Sequence, residues 1–309
     1  MKPSPRPGRS RARVAVGCAL VAAPWLWFAV RDTGADMDGI AVALPVIGLG
    51  LLVLLGIGAA LWRRWIPLLV GVSVFLVSVV ATVQPRMPQA RATPRTPITI
   101  AMANVFDQNP TPAAALTTMY GRDVDLMVPV EMSPGFRAGF VPTPTLPYRV
   151  VRHSLGVVSR WPLTLLAPHG LPRSRVLRVA VDAPVAPFIL YVVHALNPLH
   201  DFSTFADQRA FTQLMIDTAQ TEHRPVVIVG DLNTSDRVAS YRMLTGAMRD
   251  AMRAGSIPGS TYEGGWWATL FLRIDHAFIP QNWCAEDGST FSVPGSDHHG
   301  IQVTVGPCG

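Results

Sequence analysis

Three uncharged apolar runs lie almost end to end at the start of this chain: Val14 to Val30, Gly39 to Trp62 and Trp65 to Gln84. A helix needs about 20 apolar residues to cross the hydrocarbon of a bilayer. The second and third runs reach that length and the first is at its short end. In lipid the backbone must satisfy its own hydrogen bonds, which leaves such a run little choice but a helix. A cleaved signal peptide is not normally followed by two further spans. The runs therefore predict three transmembrane helices, at about 14–30, 40–62 and 65–83, with Pro24 placed to kink the first.

Charge orients them. Lys2, Arg6, Arg9, Arg11 and Arg13 make residues 1–13 a basic N-terminus, which the positive-inside rule assigns to the cytoplasm. The loop from Arg31 to Asp38 holds one Arg and three Asp and fits the outer side, whereas the Arg63-Arg64 turn fits the inner side. Three spans then carry everything after residue 84 out of the cytoplasm. The expected location is a multi-pass protein of the cell membrane, with Trp25, Trp27, Trp62 and Trp65 as candidates for the interfacial aromatic belt.

The net charge of +6 follows the same division. Residues 1–97 hold eleven Lys/Arg and three Asp/Glu, or +8; residues 98–309 hold fifteen Arg and seventeen Asp/Glu, or −2. The basic balance thus belongs to the membrane part and gives no sign of a nucleic-acid-binding face beyond it. Arg173, Arg175 and Arg178 are the one cluster there that could form a basic patch. Between the parts, residues 84–97 contain four Pro and three Arg and read as an extended linker. It would either hold the next domain up to roughly 40 Å from the bilayer or lay its Arg side chains on anionic head groups.

Residues 98–309 form the second domain. Val226-Val227-Ile228-Val229 reads as a strand buried on both faces, ended by Gly230, with Asp231 and Asn233 at its carboxyl end. Similar strands precede Asn104, Glu131 and His194, and another carries Asp275 within Arg273-Ile274-Asp275-His276-Ala277-Phe278-Ile279. Ser296-Asp297-His298-His299-Gly300 leads into the alternating Ile301–Val305. Helices are predicted at Pro112–Tyr120, Phe202–Thr221 and Ala239–Ala254, and hairpin-like pairs around Leu155–Leu166 and Arg175–Val181.

In this order the motifs resemble the endonuclease/exonuclease/phosphatase superfamily, which has the DNase-I-like fold, in a membrane-anchored bacterial form. Gly230-Asp231-Leu232-Asn233 stands where the family has its GD-hydrophobe-N motif. Residues 273–279 and 296–300 match its last two motifs, and Gly156-Val157-Val158-Ser159-Arg160-Trp161-Pro162 matches an earlier one. Asn104, Glu131 and His194 follow the pattern upstream, and all of these fall in the family's order across about 200 residues. Two departures are Val130, where many relatives have Gln, and Gly300, where they have Pro.

The resemblance implies an α/β fold, a four-layer α/β/β/α sandwich preceded by the three transmembrane helices, and a divalent-metal-dependent phosphohydrolase. Mg²⁺, or Mn²⁺ or Ca²⁺, takes hard oxygen ligands and few of them; Asn104, Glu131 and Asp297 are the implied metal residues. His298 would serve as base, with Asp275 fixing its tautomer. His194 would contact the scissile phosphate or act as acid, Asp231 would orient water, and Asn233 would donate to a phosphoryl oxygen. The substrate would be a phosphate ester, in nucleic acid, phospholipid or inositol phosphate, at a lipid bilayer, with no protein partner expected. The alternative is an inert domain that binds a phosphorylated ligand, against which stands the intact set of acids, amides and histidines.

Other features carry less. His276 follows Asp275 on a strand and should face the opposite side, as a packing residue. His153, His169, His200, His223 and His299 have no partner pattern. Trp266-Trp267 could stack on a base or dip into lipid. Cys284 and Cys308 lie in the exported part, where an oxidising compartment permits either a disulfide or two free thiols.

Overall fold

A computed structural model describes residues 7–184, 186–199, 204–265 and 271–309. They fall into two compact units: the chain up to Pro85 with Arg237–Ala239, and Arg86–Asp236 with Ser240–Gly309.

The first unit is built from α1 (Pro7–Val30), α2 (Asp36–Trp62) and α3 (Trp65–Val83). The segments Ala12–Val30, Asp36–Trp62 and Trp65–Arg86 are long and apolar enough to cross a membrane. α2 starts before the uncharged run, with Asp36 and Asp38 in its first turn, where the helix dipole favours acids. Arg63 ends it in the left-handed region, at φ 50°. Small residues and hydroxyls make the contacts between these helices, as is usual where the surroundings are as apolar as the helices themselves. A Cβ on Gly71 would stand 3.1 Å from the Leu51 carbonyl. Ser73 donates to the Val21 carbonyl and Ser78 to that of Leu44. The Trp25 indole donates to Ser73, and Trp27 packs on Leu44, Val77 and Ala81. Trp25, 42% exposed, and Trp27 thus also take part in helix packing, whereas Trp62 and Trp65 are 72% and 76% exposed.

The second unit holds two six-stranded mixed sheets. Its strands in chain order are β1 (Ile98–Asn104), β2 (Leu126–Val130), β3 (Tyr148–Arg152), β4 (Leu155–Ser159), β5 (Leu163–Leu165), β6 (Val176–Val181), β7 (Phe188–His194), β8 (Val226–Asp231), β9 (Arg249–Asp250), β10 (Asp275–Ile279), β11 (Trp283–Ser292) and β12 (His299–Pro307). One sheet runs β11-β12-β1-β2-β4-β3 and the other β5-β6-β7-β8-β10-β9. The helices are α4 (Pro112–Tyr120), α5 (Pro134–Gly139), α6 (Phe205–Gln220) and α7 (Ala239–Ala247).

Side chains alternate along a strand, so a strand between two layers must be apolar on both faces. Ile98, Ile100 and Met102 of β1 meet Leu190, Val192, Val227 and Val229 between the sheets. Ala101 and Ala103 turn outward to Ala115, Met119 and Phe136 of α4 and α5. On the other side Tyr191, Val193 and Ile228 pack against Phe211 and Met215 of α6 and Leu244 of α7. Three cores separate four layers, α/β/β/α, as the motifs led us to expect. β11 and β12 are joined by the Cys284–Cys308 disulfide, whose Cα atoms are 4.9 Å apart.

Several local readings change. The helix expected over Ala239–Ala254 stops at Ala247, because Arg249 and Asp250 pair with Ile279 and Phe278 at the sheet edge. The helix expected from Phe202 is described from Phe205, where Thr204 and Asp207 form a capping box. Leu155–Leu166 is no hairpin: β4 pairs with β3 and β5 with β6, in different sheets. Residues 84–97 are not a free spacer either. Arg86 is buried against Asp236, Gln89 bridges Ala254, Arg91 pairs with Glu286 and Asp287, and Pro94 bridges Cys308. The proposed basic patch fails at Arg178, which is buried in an ion pair with Glu222. Trp266-Trp267 and His200 lie outside the described residues.

Candidate active site

The register of the central strands puts polar ends in a row. His194 of β7 pairs with Asp231 of β8 in parallel, and Asp231 pairs with Asp275 of β10 in antiparallel. In the other sheet Asn104 of β1 pairs with Val130 of β2, just before Glu131. Parity does the rest. Asn104, His194, Asp231 and Asp275 each share the face of their strand that carries the core between the sheets. At one edge that core ends and these polar side chains continue it. Asp275 and His298 stand at or before the starts of their strands rather than at the ends; both strands are antiparallel to a neighbour, so their starts meet the same edge.

Backbone chemistry fits this purpose. Gly230 has φ 154°, and a Cβ there would lie 1.9 Å from the Val193 carbonyl oxygen, so no other residue allows β8 to stay beside β7 up to Asp231. Pro129 lies beyond the last β2–β4 pair, where β2 has lost one neighbour and a missing N–H is tolerated. Glu131 and Asn233 take left-handed backbone, at φ 54° and 46°. Such strain at a non-glycine residue is commonest at functional sites.

The side chains form one network. The Asn104 amide donates to Glu131 at 2.9 Å and to Asp231 at 3.0 Å. His194 Nε2 lies 2.9 Å from Glu131 Oε1. His298 Nδ1 lies 2.8 Å from Asp275 Oδ2, which leaves Nε2 3.8 Å from Asp231 Oδ2. Ligand atoms of Glu131, His194 and Asp231 lie within 4.8 Å of one another, as do those of Asp231, Asp275 and His298. Asp275 Oδ1 is buried and has no hydrogen-bond partner among the described residues.

Electrostatics follow from crowding. Burial works against ionisation of Glu131, but His194, the Asn104 amide and His298 hold its carboxyl down at about 2. Burial and the Asp275 charge push Asp231 up to about 6, against the pull of His298 and His194. For His298 burial is outweighed by Asp275, then Asp231 and Asp297, which raise it to about 10. His194 is also raised: the Glu131 bond and the Asp231 charge outweigh burial, with Arg175 opposing. In this charge state His298 carries a proton on Nε2, so the base expected of it must first pass that proton on.

Two expected members stand apart. Asp297 is half-buried and falls in neither cluster of potential ligand atoms, although His298, Glu131 and Asp275 influence its carboxyl, which burial raises. The Asn233 amide donates to the Ala195 carbonyl at 3.3 Å and its backbone N–H to Asp231. Three residues escaped the reading of the sequence. Thr261 Oγ1 accepts from the N–H groups of Ile274 and Asp275, fixing the start of β10. Ser296 ties the His298 N–H to the Asn104 carbonyl across two elements. Tyr262 sets its ring edge-on to His298, centroids 5.0 Å apart. Burial raises its hydroxyl, then Asp297, Asp231 and Glu131 raise it further. Ser296 has a local signal, two residues before the histidine; Thr261 and Tyr262 lie in a stretch without periodicity.

The sequence profile of the Endonuclease/Exonuclease/phosphatase family matches residues 83–298. The chain belongs to this family. Its superfamily consists of phosphoester hydrolases, and the strand ends that carry the family motifs are the ones gathered here. No curated protein matches the chain. Solved structures share the fold. Beta toxin from Staphylococcus aureus with bound magnesium ions has 13% identity and a TM-score of 0.51, covering 67% of this chain and 99% of that one. Sphingomyelinase C from Streptomyces griseocarneus has 15% identity and a TM-score of 0.50, covering 68% and 99%. The 3' phosphatase NExo from Neisseria, bound to a product DNA hairpin, has 16% identity and a TM-score of 0.50, covering 67% and 98%.

His276 is not part of the family site. It is fully buried, accepts Tyr241 and Phe278 as ring neighbours and bonds the Thr234 carbonyl through Nε2. Burial, helped by Arg273, lowers its pKa from 6.5 to about 4. A group depressed on folding contributes stability above its unfolded pKa and loses it as pH falls through the folded one. Its contribution is thus present above pH 6.5 and gone below about 4, on the order of 3 kcal/mol at about 1.4 per unit. Asp231, raised, acts with the opposite sign between 6 and 3.8. Comparing His276→Gln with wild type isolates the histidine: the stability of wild type should fall more steeply, by up to one proton, between pH 6.5 and 4. Parallel pH profiles would contradict this.

Proposed function

We propose that the protein is a membrane-anchored, divalent-metal-dependent phosphohydrolase that cleaves a phosphate ester, foremost a phosphodiester, outside the cytoplasm. The observation that carries this reading is the convergence of Asn104, Glu131, His194, Asp231, Asp275 and His298 on one rim between the two sheets. A binding domain without chemistry needs neither a buried Asp–His pair nor an ionised glutamate held between an amide and a histidine. The outward orientation rests on the basic N-terminus, the acidic Arg31–Asp38 loop and the odd number of spans.

The donor set suits Mg²⁺, Mn²⁺ or Ca²⁺. Glu131 and Asp231 supply carboxylate oxygens close together, the Asn104 amide donates to both and so orients them, and a staphylococcal protein of the same fold binds magnesium. Glu131 and Asp231 would hold the ion, with the Asn104 amide bonded to both carboxylates. When bound it supplies positive charge to a phosphoryl oxygen. The chain's own residues do the remainder. Asp231 accepts a hydrogen bond from the attacking water. His298, held by Asp275, keeps or gives up a proton at Nε2. His194, held by Glu131, would donate to the phosphate or to the leaving oxygen, and Asn233 could donate to it only through the amide N–H not engaged by Ala195. The −2 charge of residues 98–309 favours a compact phosphate ester or a lipid head group over a long nucleic acid, which would ask for a basic face.

The test uses the full-length protein in mild detergent with chromogenic phosphodiesters and phosphomonoesters. Product release should stop on chelation and return with Mg²⁺. Glu131→Gln, of equal size, should raise the metal concentration needed by at least the ~10–100-fold that loss of an outer-shell partner costs. Activity indifferent to chelator and to Glu131→Gln would overturn the metal assignment. No release from any ester, with the fold intact, would favour the inert alternative.

A further inference from the structure

Helices α1 and α3 are parallel neighbours. Gly17 meets Ile66, where a Cβ would stand 3.3 Å from the isoleucine side chain, and seven to eight residues on Trp25 donates to Ser73. Beside the Gly17–Ile66 contact lies an open groove of about 860 Å³ with apolar walls from Val16, Leu20 and Pro67. Among the described residues that line it, Arg13 and Arg64 carry the charge. Each precedes the contact on its own helix, by four and two residues, so the parallel helices bring both guanidinium groups to the same end. Neither has a side-chain hydrogen bond or ion pair among the described residues. The acids of this region, Asp32, Asp36 and Asp38, lie in the loop at the far end of α1 and the start of α2. Among the described residues, one end of the bundle therefore presents two cations with no acid beside them over an apolar groove. Trp65, 76% exposed, marks that end as the level of the head groups.

We propose that this groove binds a phospholipid with an anionic head group, its phosphate between Arg13 and Arg64 and an acyl chain along Val16, Leu20 and Pro67. The inference rests on the three helices crossing a bilayer and not on the reaction proposed for the second unit. Basic pockets between spanning helices recognise anionic head groups, and each basic residue near the surface contributes about fivefold in affinity, so roughly thirtyfold for two. The apolar walls contribute to any phospholipid; the arginines discriminate.

The experiment reconstitutes the full-length protein in nanodiscs of mixed phosphatidylglycerol and phosphatidylcholine, extracts it gently and counts retained lipids by native mass spectrometry. Wild type should retain phosphatidylglycerol in preference. Arg13→Gln/Arg64→Gln should lower that retention roughly thirtyfold, to the phosphatidylcholine level, with an unchanged elution volume. Val16→Trp, which fills the groove, should lower retention of both lipids. Equal phosphatidylglycerol retention in the double variant overturns the proposal. So does full competition by millimolar inorganic phosphate, which would mark a site for the free anion.

Discussion

His298→Ala is expected to lower turnover by about 10²–10⁴-fold, the usual contribution of a positioned acid–base group. The imidazole is almost wholly buried. It is held through Nδ1 by Asp275, whose own N–H is pinned by Thr261, and its backbone is tied through Ser296 to the end of β1. The other histidine of the rim, His194, is engaged by Glu131 and does not stand at that Nε2. The neighbouring carboxylates hold its pKa near 10 in the metal-free molecule, so the free protein carries one more proton through neutral pH than an isolated imidazole would. The same raised pKa contributes stability that is complete below 6.5 and lost as pH rises toward 10. Alanine also leaves Asp275 without its partner, which itself costs stability. His298→Gln is therefore the companion: it keeps a donor for Asp275 but cannot shuttle a proton. Turnover should collapse in both variants while the glutamine protein unfolds near the wild-type temperature. Wild-type turnover in His298→Gln would remove the histidine from the chemistry whatever the fold.

Arg273→Met should destabilise the second unit by about 3–5 kcal/mol, the cost of removing one partner from a buried ion pair. Arg273 is fully buried. It donates through Nη2 to Asp250 at 2.7 Å and to the Tyr241 hydroxyl at 3.0 Å, and through Nε to Asp236 at 3.2 Å. Burial raises Asp250, but Arg273 outweighs it and holds the carboxyl below its ordinary value; methionine would leave that charge in the core. Asp236 retains Arg86 and Asp250 retains Tyr241, which keeps the loss toward the lower end. Against a total stability of roughly 5–15 kcal/mol the loss is large. Since Arg273 stands two residues before Asp275, turnover should fall along with stability. Adding Asp250→Asn to Arg273→Met should recover part of the loss, because partners in one network are not additive. Thermal unfolding of the detergent-solubilised proteins reads both effects; an Arg273→Met protein as stable as wild type would show that the network contributes nothing.

That arginine illustrates what could be read from the chain and what could not. The three long apolar helices were legible because about 20 uncharged apolar residues in a row suit a bilayer-crossing helix. The sandwich was legible because strands covered on both faces must be apolar without alternation, as in Val226–Val229 and Phe188–Val193. The acids, amides and histidines of the site were legible because each interrupts or borders such a strand, and period-two alternation even separated His276 from Asp275. These properties are local: they depend on residues within one element and on the solvent that element meets.

Other properties arise where distant elements meet, and only the tertiary structure decided them. Arg249-Asp250 belongs to a helical pattern until β10 offers it an edge. Residues 84–97 have the composition of a spacer, yet Arg86 finds Asp236, 150 residues away, and the segment lies along the second unit. Nothing local to Trp25 foretells that Ser73, 48 residues on, accepts its N–H. Arg273 reads as part of a motif and proves to be the centre of a buried charge network. Asp297 reads as a ligand beside His298, yet it falls in neither cluster of potential ligand atoms. Periodicity records which face a residue turns; it holds no information on what stands opposite, and desolvation, ion pairing and hydrogen bonding are all decided by what stands opposite.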